Sequence, residues 1–353
     1  MPVPSVTGSW MPFMTHSLWK YSNILLIKPG AIGDLILITP VIRALHEAYP
    51  DTSISLMVSD EVSASLFAFH PLVRKTIVYD RKGAHRSPAA FFGLWRELRQ
   101  DGYDLVINFQ RSNLKAWFLV TAAFPARVLV YHKARNRVVH AVLNHLETLA
   151  PLGIDPARAG TAPEMHVGPE ADAHADDLFR SSGLSGHQVI ALNPGASHPV
   201  NRWSAENFAL LADRLMAGLG VRVVVVGGRE DIPLADEIAA KAQEPIVNLA
   251  GEMTLLQLGA VLKRCAILIS GDTGPMHMAT AVGTPVVALF GAADPARTGP
   301  VGEGHRIIQA EGIDCVPCRS RRCSSSRYLE CMERISVDEV YQACALKLPD
   351  YEG

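Results

Sequence analysis

A turn in the second half of the chain has the residue types of a phosphate or sugar site. The apolar run 266–269 predicts a buried strand, and Asp272, Thr273 and Gly274 follow it at the start of a helix. Free backbone N–H groups at such a start can bind a diphosphate. Asp272 would repel phosphate, so we expect it to cap the helix or to accept hydrogen bonds from sugar hydroxyls. His277, one helical turn later, either reaches the phosphate or packs in the core.

A second turn of the same kind lies in the first half. The apolar run 24–27 leads into Lys28, and Gly30, Gly33 and Asp34 precede a helical pattern. The glycines permit close approach to a ligand, and Asp34 lies where open α/β sheets bind ligands. A simple helix cap is the alternative for Asp34. The glycine spacing matches neither the dinucleotide fingerprint nor a P-loop.

Two further turns can hold parts of a nucleotide sugar. The turn after strand 189–192 contains an anion nest and a hydroxyl donor: Asn193, Gly195, Ala196 and Ser197. Arg202 then supplies a fixed positive charge for a diphosphate or forms a surface ion pair. After strand 221–226, Gly228 and Glu230 form a turn whose carboxylate can accept hydrogen bonds from ribose or sugar hydroxyls. A glycine turn capped by Asp231 is the alternative.

Four of the six cysteines cluster near the end of the chain. Cys315 and Cys318 have the spacing of a metal-ligand pair, and Cys323 and Cys331 can complete a tetrahedral thiolate site. No known finger spacing is reproduced, so a disulfide or free thiols are the alternatives. The chain contains no Asp-x-Asp pair. A nucleotide-sugar enzyme with this sequence would therefore stabilise its leaving diphosphate with helix ends and cations.

The composition excludes several classes of function. The chain has 353 residues, of which 48% are hydrophobic and 19% charged, so it is globular and long enough for two domains. Its net charge of −2 gives no reason to expect a nucleic-acid partner. No apolar run approaches the roughly 18 residues that span a bilayer. No export signal opens the chain, which predicts a cytoplasmic protein.

Strand-like and helix-like runs alternate along the chain. This alternation predicts an α/β fold with two doubly wound parallel sheets, whose carboxyl-end turns face each other across a cleft. Single helices are predicted over 35–48 and 138–149, and the Pro- and Gly-rich stretch 151–169 is predicted to connect the domains. The expected organisation is an N-terminal extension, an acceptor domain, a nucleotide-sugar domain, and a C-terminal helix and tail: 1–20, 21–168, 169–335 and 336–353.

Taken together, these motifs resemble glycosyltransferase family 9, the ADP-heptose:lipopolysaccharide heptosyltransferases of Gram-negative bacteria. The resemblance extends from Tyr21 to Ala345 and rests on four ordered motifs: Lys28–Asp34, Pro194–Ser197 with Arg202-Trp203, Gly227–Asp231, and Asp272–His277. The run Tyr103–Asn108 and the Cys-x2-Cys tail are similar to members that act on the second or third core heptose. The resemblance implies a GT-B fold of two Rossmann-like domains.

The resemblance also implies a role for each site. It implies inverting transfer with no cofactor required, and Asp34 matches the proposed general base. The donor, ADP-heptose, would be held by the second domain: Asn193, Gly195, Ala196, Ser197, Arg202, Gly228, Glu230, Asp272, Thr273, Gly274 and His277. The acceptor, a lipid A–core oligosaccharide, would be held by the first: Lys28, Gly30, Gly33 and Arg111. Such an acceptor implies peripheral contact with the cytoplasmic face of the inner membrane.

One position departs from the family pattern. Members commonly carry a lysine that contacts the donor diphosphate immediately before the Arg/His-Trp pair, and this chain has Asn201 there. Either Arg202 compensates for the missing cation or the protein is a poor catalyst. This departure favours one alternative, a non-catalytic nucleotide-sugar-binding protein. A second alternative is a heptosyltransferase that modifies autotransporter proteins, since some relatives do so and carry cysteine-bound iron. A structural metal at the cysteine cluster would be zinc or iron.

Overall fold

A computed structural model describes residues 20–110, 114–134, 137–196 and 198–348, without the side chains of 114–116. The expected N-terminal extension therefore lies outside the described residues, except for Lys20. No helix in the described part of the chain is long and apolar enough to cross a bilayer.

The first half forms a five-stranded parallel sheet with the order β3-β2-β1-β4-β5. Its strands are β1 (Asn23–Ile27), β2 (Ser53–Val58), β3 (Val73–Val78), β4 (Leu105–Asn108) and β5 (Arg127–Val130). Its helices are α1 (Ile32–Ile36), α2 (Thr39–Ala48), α3 (Glu61–Ser65), α4 (Pro88–Asp101), α5 (Leu114–Val120) and α6 (Ala141–Leu146). The central strands are buried on both faces, as expected for continuous apolar runs covered by helices.

The second half forms a six-stranded parallel sheet with the order β11-β10-β9-β6-β7-β8. Its strands are β6 (Val189–Asn193), β7 (Arg222–Val225), β8 (Val247–Asn248), β9 (Ile267–Ser270), β10 (Val286–Phe290) and β11 (Arg306–Gln309). Its helices are α7 (Pro169–Ser181), α8 (Ala205–Leu219), α9 (Ile232–Lys241), α10 (Leu255–Leu262), α11 (Gly274–Ala281), α12 (Pro295–Thr298), α13 (Glu330–Glu333) and α14 (Val337–Ala345). Helix α14 packs against α8 and therefore belongs to this half.

Two of the helix predictions were wrong in their extent. The helix predicted over 35–48 is two helices, α1 and α2, because Pro40 lacks the N–H of a helix interior and is accommodated only in the first turn of α2. The helix predicted over 138–149 is the short α6 followed by a 3₁₀ segment, Glu147–Leu152, that contains Pro151.

Helix α7 and strand β11 have no counterpart in the sequence predictions, and neither do the short helices α3, α12 and α13. Helix α7 is mostly polar and buries only Ala171, Ala175 and Phe179, so its apolar stripe is narrow. It packs against α10 of the second sheet. Strand β11 is an edge strand with two exposed residues, which weakens its hydrophobic signal.

The strand order places one edge at which ligands can bind in each of the two sheets. In both sheets the chain reverses its winding direction between two central strands, β1 and β4 in the first and β6 and β9 in the second. Ligands of open α/β sheets bind at this switch point, outside the carboxyl ends of the strands. Lys28 and Asp34 follow β1, whereas Asn193 ends β6 and Thr273 follows β9. The predicted site residues therefore lie at the two edges that this topology makes available.

Candidate active site

A cavity of about 450 Å³ lies between the two halves. Its walls are formed by side chains that follow the carboxyl ends of strands in both sheets. The first half contributes Lys28, Asp34, Tyr131, Lys133, Asn144 and His145, among others, and the second contributes His198, Asn201, Asp272, Asp294, Arg297, Thr298, Arg319 and Arg321. The two ligand edges thus form one cleft.

Two glycines allow α1 and α11 to meet across this cleft. A Cβ atom at Gly33 would lie 2.6 Å from Cδ2 of His277, and one at Gly274 would lie 3.3 Å from Cγ2 of Ile32. Any larger residue at Gly33 would push α11 away or displace the buried imidazole. The approach brings Asp34, in the first turn of α1, to the same cleft as Asp272.

Asp34 presents a half-exposed carboxylate beside a buried cation. Its Oδ1 atom lies 3.6 Å from Nζ of Lys28, and the Asp34 side chain is 51% exposed whereas the Lys28 side chain is only 10% exposed. Burial lowers the pKa of Lys28, and the charge of Asp34 opposes that shift. The lysine therefore helps to orient a carboxylate that lines the cleft and is accessible to a ligand.

Asp272 is more deeply buried and is held by one hydroxyl. Thr298 Oγ1 donates a hydrogen bond of 3.0 Å to Asp272 Oδ2. Burial raises the pKa of Asp272 from 3.8 to about 6; the Thr298 bond opposes this shift and the charge of Asp34 adds to it. The Nε2 atom of His277 lies 3.9 Å from Asp272 Oδ1, which is too long for a hydrogen bond. Burial lowers the pKa of His277 to about 4, so its ring is neutral at pH 7 and forms no ion pair.

The side chains of Asn193 and Thr273 bond to each other at the second switch point. Asn193 Oδ1 accepts hydrogen bonds of 3.0 Å from Thr273 Oγ1 and from Ser270 Oγ. Its Nδ2 donates to the carbonyl oxygen of Val226 at 3.1 Å. All three polar side chains are buried. This network fixes the turn that begins α11, and it leaves backbone N–H groups rather than these side chains to meet a ligand.

The buried carboxylate of Asp231 stabilises the turn that follows β7. Asp231 Oδ2 accepts a 3.0 Å hydrogen bond from the backbone N–H of Gly228 and so closes the glycine turn, but the Asp231 side chain makes no capping hydrogen bond to α9. The same carboxylate lies against the Cα atom of Gly195, where any Cβ would collide with it. Burial raises the pKa of Asp231, and the charge of Arg202 opposes this shift. Gly228 and Glu230 are exposed to solvent.

Arg202, which the sequence singled out as the cation for a diphosphate, does not line the cleft, whereas three other arginines of the second half do: Arg297, Arg319 and Arg321. Asn201 lines the cavity, whereas Arg202 is half-buried beside it, with Nη2 3.5 Å from the carbonyl oxygen of Ala196. Arg297 lines the cavity directly and lies 3.3 Å from Asp294. Sequence analysis missed Arg297 because it is on the four-residue helix α12, which has no periodic signal.

Three further site residues were predicted from the sequence, and the structure describes only one of them, Gly30. Ser197 and Arg111 are outside the described residues. Gly30 lies next to Asp34, with its nearest side-chain atoms those of Asp34 and Lys28.

Three of the four clustered cysteines, Cys315, Cys318 and Cys323, lie in the loop between β11 and α13, and Cys331 lies on α13. Cys315 and Cys318 are exposed and Cys331 is buried. Burial and the neighbouring thiols raise the pKa of Cys331. Within the described residues, one group of three metal-ligating side chains has its ligand atoms within 4.8 Å of one another, and it contains no cysteine: His70, Glu164 and His166. The proposed cysteine metal site therefore stays a prediction.

Comparison with known proteins identifies a family. Residues 91–329 match the sequence profile of glycosyltransferase family 9 (heptosyltransferase). The lipopolysaccharide heptosyltransferase 3 of Escherichia coli is 28% identical over 326 residues, which cover 86% of this chain and 94% of that protein.

Two solved structures share the fold. The family 9 glycosyltransferase of Veillonella parvula superposes with a TM-score of 0.83 at 25% identity, covering 93% of this chain and 97% of that one. The E. coli ADP-heptose lipopolysaccharide heptosyltransferase II superposes with a TM-score of 0.73 at 23% identity, covering 92% and 98%. The fold is therefore GT-B, with two Rossmann-like sheets.

Replacing Gly33 with alanine is expected to separate α1 from α11. The new methyl group would overlap the His277 ring, and such overpacking costs about 1–3 kcal/mol. Gly93→Ala is the matched control, because a Cβ at Gly93 meets nothing within 4 Å and the residue lies within α4. We expect chemical denaturation to show a destabilised Gly33→Ala protein and an unchanged or slightly stabilised Gly93→Ala protein. Equal stabilities would contradict the close approach.

Asp272→Asn is expected to stabilise the protein in a pH-dependent way. Because the pKa of Asp272 is higher in the folded protein than in the unfolded chain, the ionised carboxyl lowers the free energy of unfolding at high pH. The full cost is present above pH 6, and it disappears below the ordinary pKa of 3.8. The variant should therefore gain stability between pH 4 and pH 7, by up to about 3 kcal/mol. Urea titrations at pH 4 and pH 7.5 measure the difference, with the exposed Asp177→Asn as control. A gain of the same size at both pH values would rule out burial of the charge as its cause.

Proposed function

The chain belongs to glycosyltransferase family 9, and on that premise we propose that it transfers heptose from ADP-heptose to an inner-core sugar of lipopolysaccharide. The names of its relatives supply the donor and acceptor classes. The observation that carries the proposal is the single cleft in which Asp34 of the first half faces Asp272 and the start of α11 in the second.

Asp34 is the general base in this proposal. A half-exposed carboxylate at the cleft can accept the proton of an acceptor hydroxyl as that oxygen attacks the anomeric carbon. Attack from the first half displaces a diphosphate held by the second half, so the bond to the acceptor oxygen forms opposite the bond to the phosphate that breaks. The anomeric configuration is inverted, the proton passes to Asp34, and ADP leaves. Lys28 keeps the carboxylate oriented during this step.

The second half is proposed to hold the donor. The start of α11 follows Asp272, which lines the cleft, and its first N–H groups are proposed to bind the diphosphate, because the Asn193 network fixes the turn that presents them. Asp272 lies at the same start and can accept hydrogen bonds from sugar hydroxyls. Gly195, Ala196 and Ser197 would complete the anion site, with Gly228 and Glu230 at its rim.

Cations replace a metal in stabilising the leaving group. The sequence has no Asp-x-Asp pair to hold a divalent ion beside the diphosphate. Arg297 lines the cleft, and Arg202 lies beside it with an Nε atom that makes no hydrogen bond to a described residue. Fixed positive charge in a partly desolvated site stabilises developing negative charge strongly. These arginines therefore compensate for Asn201.

The acceptor is proposed to bind to the first half. Lys28 lines the cleft, Gly30 lines a second cavity beside it, and Gly33 lies in the contact with α11. Arg111 follows β4 in the sequence. A lipid-linked acceptor implies that the protein works at a membrane surface, with peripheral contact rather than a membrane span.

Asp34→Asn is expected to abolish acceptor-dependent ADP release. The amide cannot take the proton, and loss of a general base costs about 10²–10⁴ in turnover. The assay measures ADP formed from ADP-heptose, with and without a heptose-truncated lipid A–core. Asp177→Asn should retain wild-type release, because that side chain is exposed on α7. Undiminished release in Asp34→Asn would contradict the assignment of the base, and donor binding without release by the wild type would contradict transfer to this acceptor.

Arg202→Ala and Arg297→Ala are each expected to lower turnover about a hundredfold, because each removes a charge beside the leaving diphosphate. Arg158→Ala is the control, since its side chain is 89% exposed. Single-turnover rates at saturating ADP-heptose measure the effect on chemistry. Wild-type rates in both arginine variants would show that helix α11 alone stabilises the leaving group.

A further inference from the structure

An exposed aromatic surface covers one side of the first half. Phe92 on α4 is 50% exposed and Phe118 on α5 is 47% exposed. Between them lies Trp95, whose ring stacks on Phe92 at 5.4 Å and lies 6.5 Å from the ring of Phe118. We call Phe92, Trp95 and Phe118 the aromatic face. Side chains of this size are rarely left in water as a contiguous group, so the face is expected to meet a partner.

The charges around the aromatic face are positive. Arg96 follows Phe92 by one helical turn on α4, and Arg86 belongs to the loop that precedes this helix. Both side chains are exposed, and neither forms an ion pair with any residue in the described ranges. The acidic residues of α4 lie on another side, because Glu97 and Asp101 bind Lys75 at 2.8 and 3.1 Å. The face therefore combines aromatic rings with cations that have no neighbouring acid.

Two ring contacts connect the aromatic face to Tyr79 at the end of β3: the ring of Phe118 lies 5.5 Å from that of Phe91, which lies 5.9 Å from that of Tyr79. Helices α4 and α5 follow β3 and β4, so they begin at the carboxyl ends of those strands. A second cavity of about 410 Å³ lies between the turn before Asp34 and the loop before α4, where Gly30, Tyr79 and Arg81 line it. A molecule held at the face would thus be next to the proposed acceptor site.

We propose that the aromatic face docks the protein onto the anionic surface of a lipid bilayer. Aromatic rings of this kind insert at the headgroup level, and neighbouring arginines bind acidic lipids. This inference deepens the proposed function, since a lipid-linked acceptor would then be presented at the cleft. A second copy of the chain fits less well, because a two-fold contact through the face would place Arg96 and Arg86 against their own copies.

Vesicle flotation with the full chain tests the proposal. The probes are vesicles of phosphatidylethanolamine with 30% phosphatidylglycerol, and neutral vesicles of phosphatidylcholine. We expect binding to the anionic vesicles to fall at least tenfold in Phe92→Ser/Phe118→Ser and in Arg86→Gln/Arg96→Gln. The matched controls are Leu210→Ser, a 49% exposed leucine on α8, and Arg158→Gln, and both should bind like the wild type. Melting temperatures verify that each variant is folded.

Three outcomes would overturn the proposal: no binding by the wild type, equal binding by the face variants and the controls, or a concentration-dependent dimer that the face variants abolish in sedimentation velocity. Measurements of ADP release with a soluble and with a vesicle-embedded acceptor distinguish a failure of membrane docking from a failure of the proposed transfer reaction. If docking is the role of the face, its variants keep wild-type ADP release with a deacylated, soluble acceptor and lose it with a vesicle-embedded one. Absence of release with both acceptors in the wild type would refute the transfer and leave the binding result standing.

Discussion

The contact between α1 and α11 is the constraint on which the rest of the structure depends. Each parallel sheet alone has a switch point but only half of the groups that a transfer reaction needs. Gly33 admits the His277 ring, and Gly274 admits Ile32, so the two helix starts meet without side chains to hold them apart. Asp34 and Asp272 then line a single cavity. The proposed transfer reaction therefore requires that the two halves pack together through α1 and α11.

This contact also sets the electrostatics of the cleft. Asp34 and Asp272 are close enough for the charge of one to raise the pKa of the other. The two carboxylates are distinguished by their surroundings, since Lys28 accompanies Asp34 and a hydroxyl alone accompanies Asp272. Asp34 is the more exposed of the two and is accessible to an acceptor hydroxyl, whereas Asp272 is more buried and already accepts a hydrogen bond from Thr298. The arginines of the second half balance this negative charge where a diphosphate would bind.

Sequence patterns predicted the parts of the site that local chemistry determines. Strand ends and helix starts can be recognised from apolar runs, glycines and capping residues, which places Lys28, Asp34 and Asp272 at the correct edges. Tertiary partners cannot be recognised in this way. Thr298 and Arg297 come from the short helix α12, and their position beside Asp272 depends on how the loop after β10 folds. For the same reason the side chain of Asn193 was expected to meet the donor, whereas it bonds to Thr273.

A crystal structure of the Asp34→Asn protein with bound ADP-heptose tests the central claim most directly. The account predicts a diphosphate within hydrogen-bond distance of the first N–H groups of α11, with the anomeric carbon facing residue 34 across the cleft. A nucleotide bound at the switch point of the first sheet would contradict it. So would a donor sugar whose anomeric carbon faces away from residue 34.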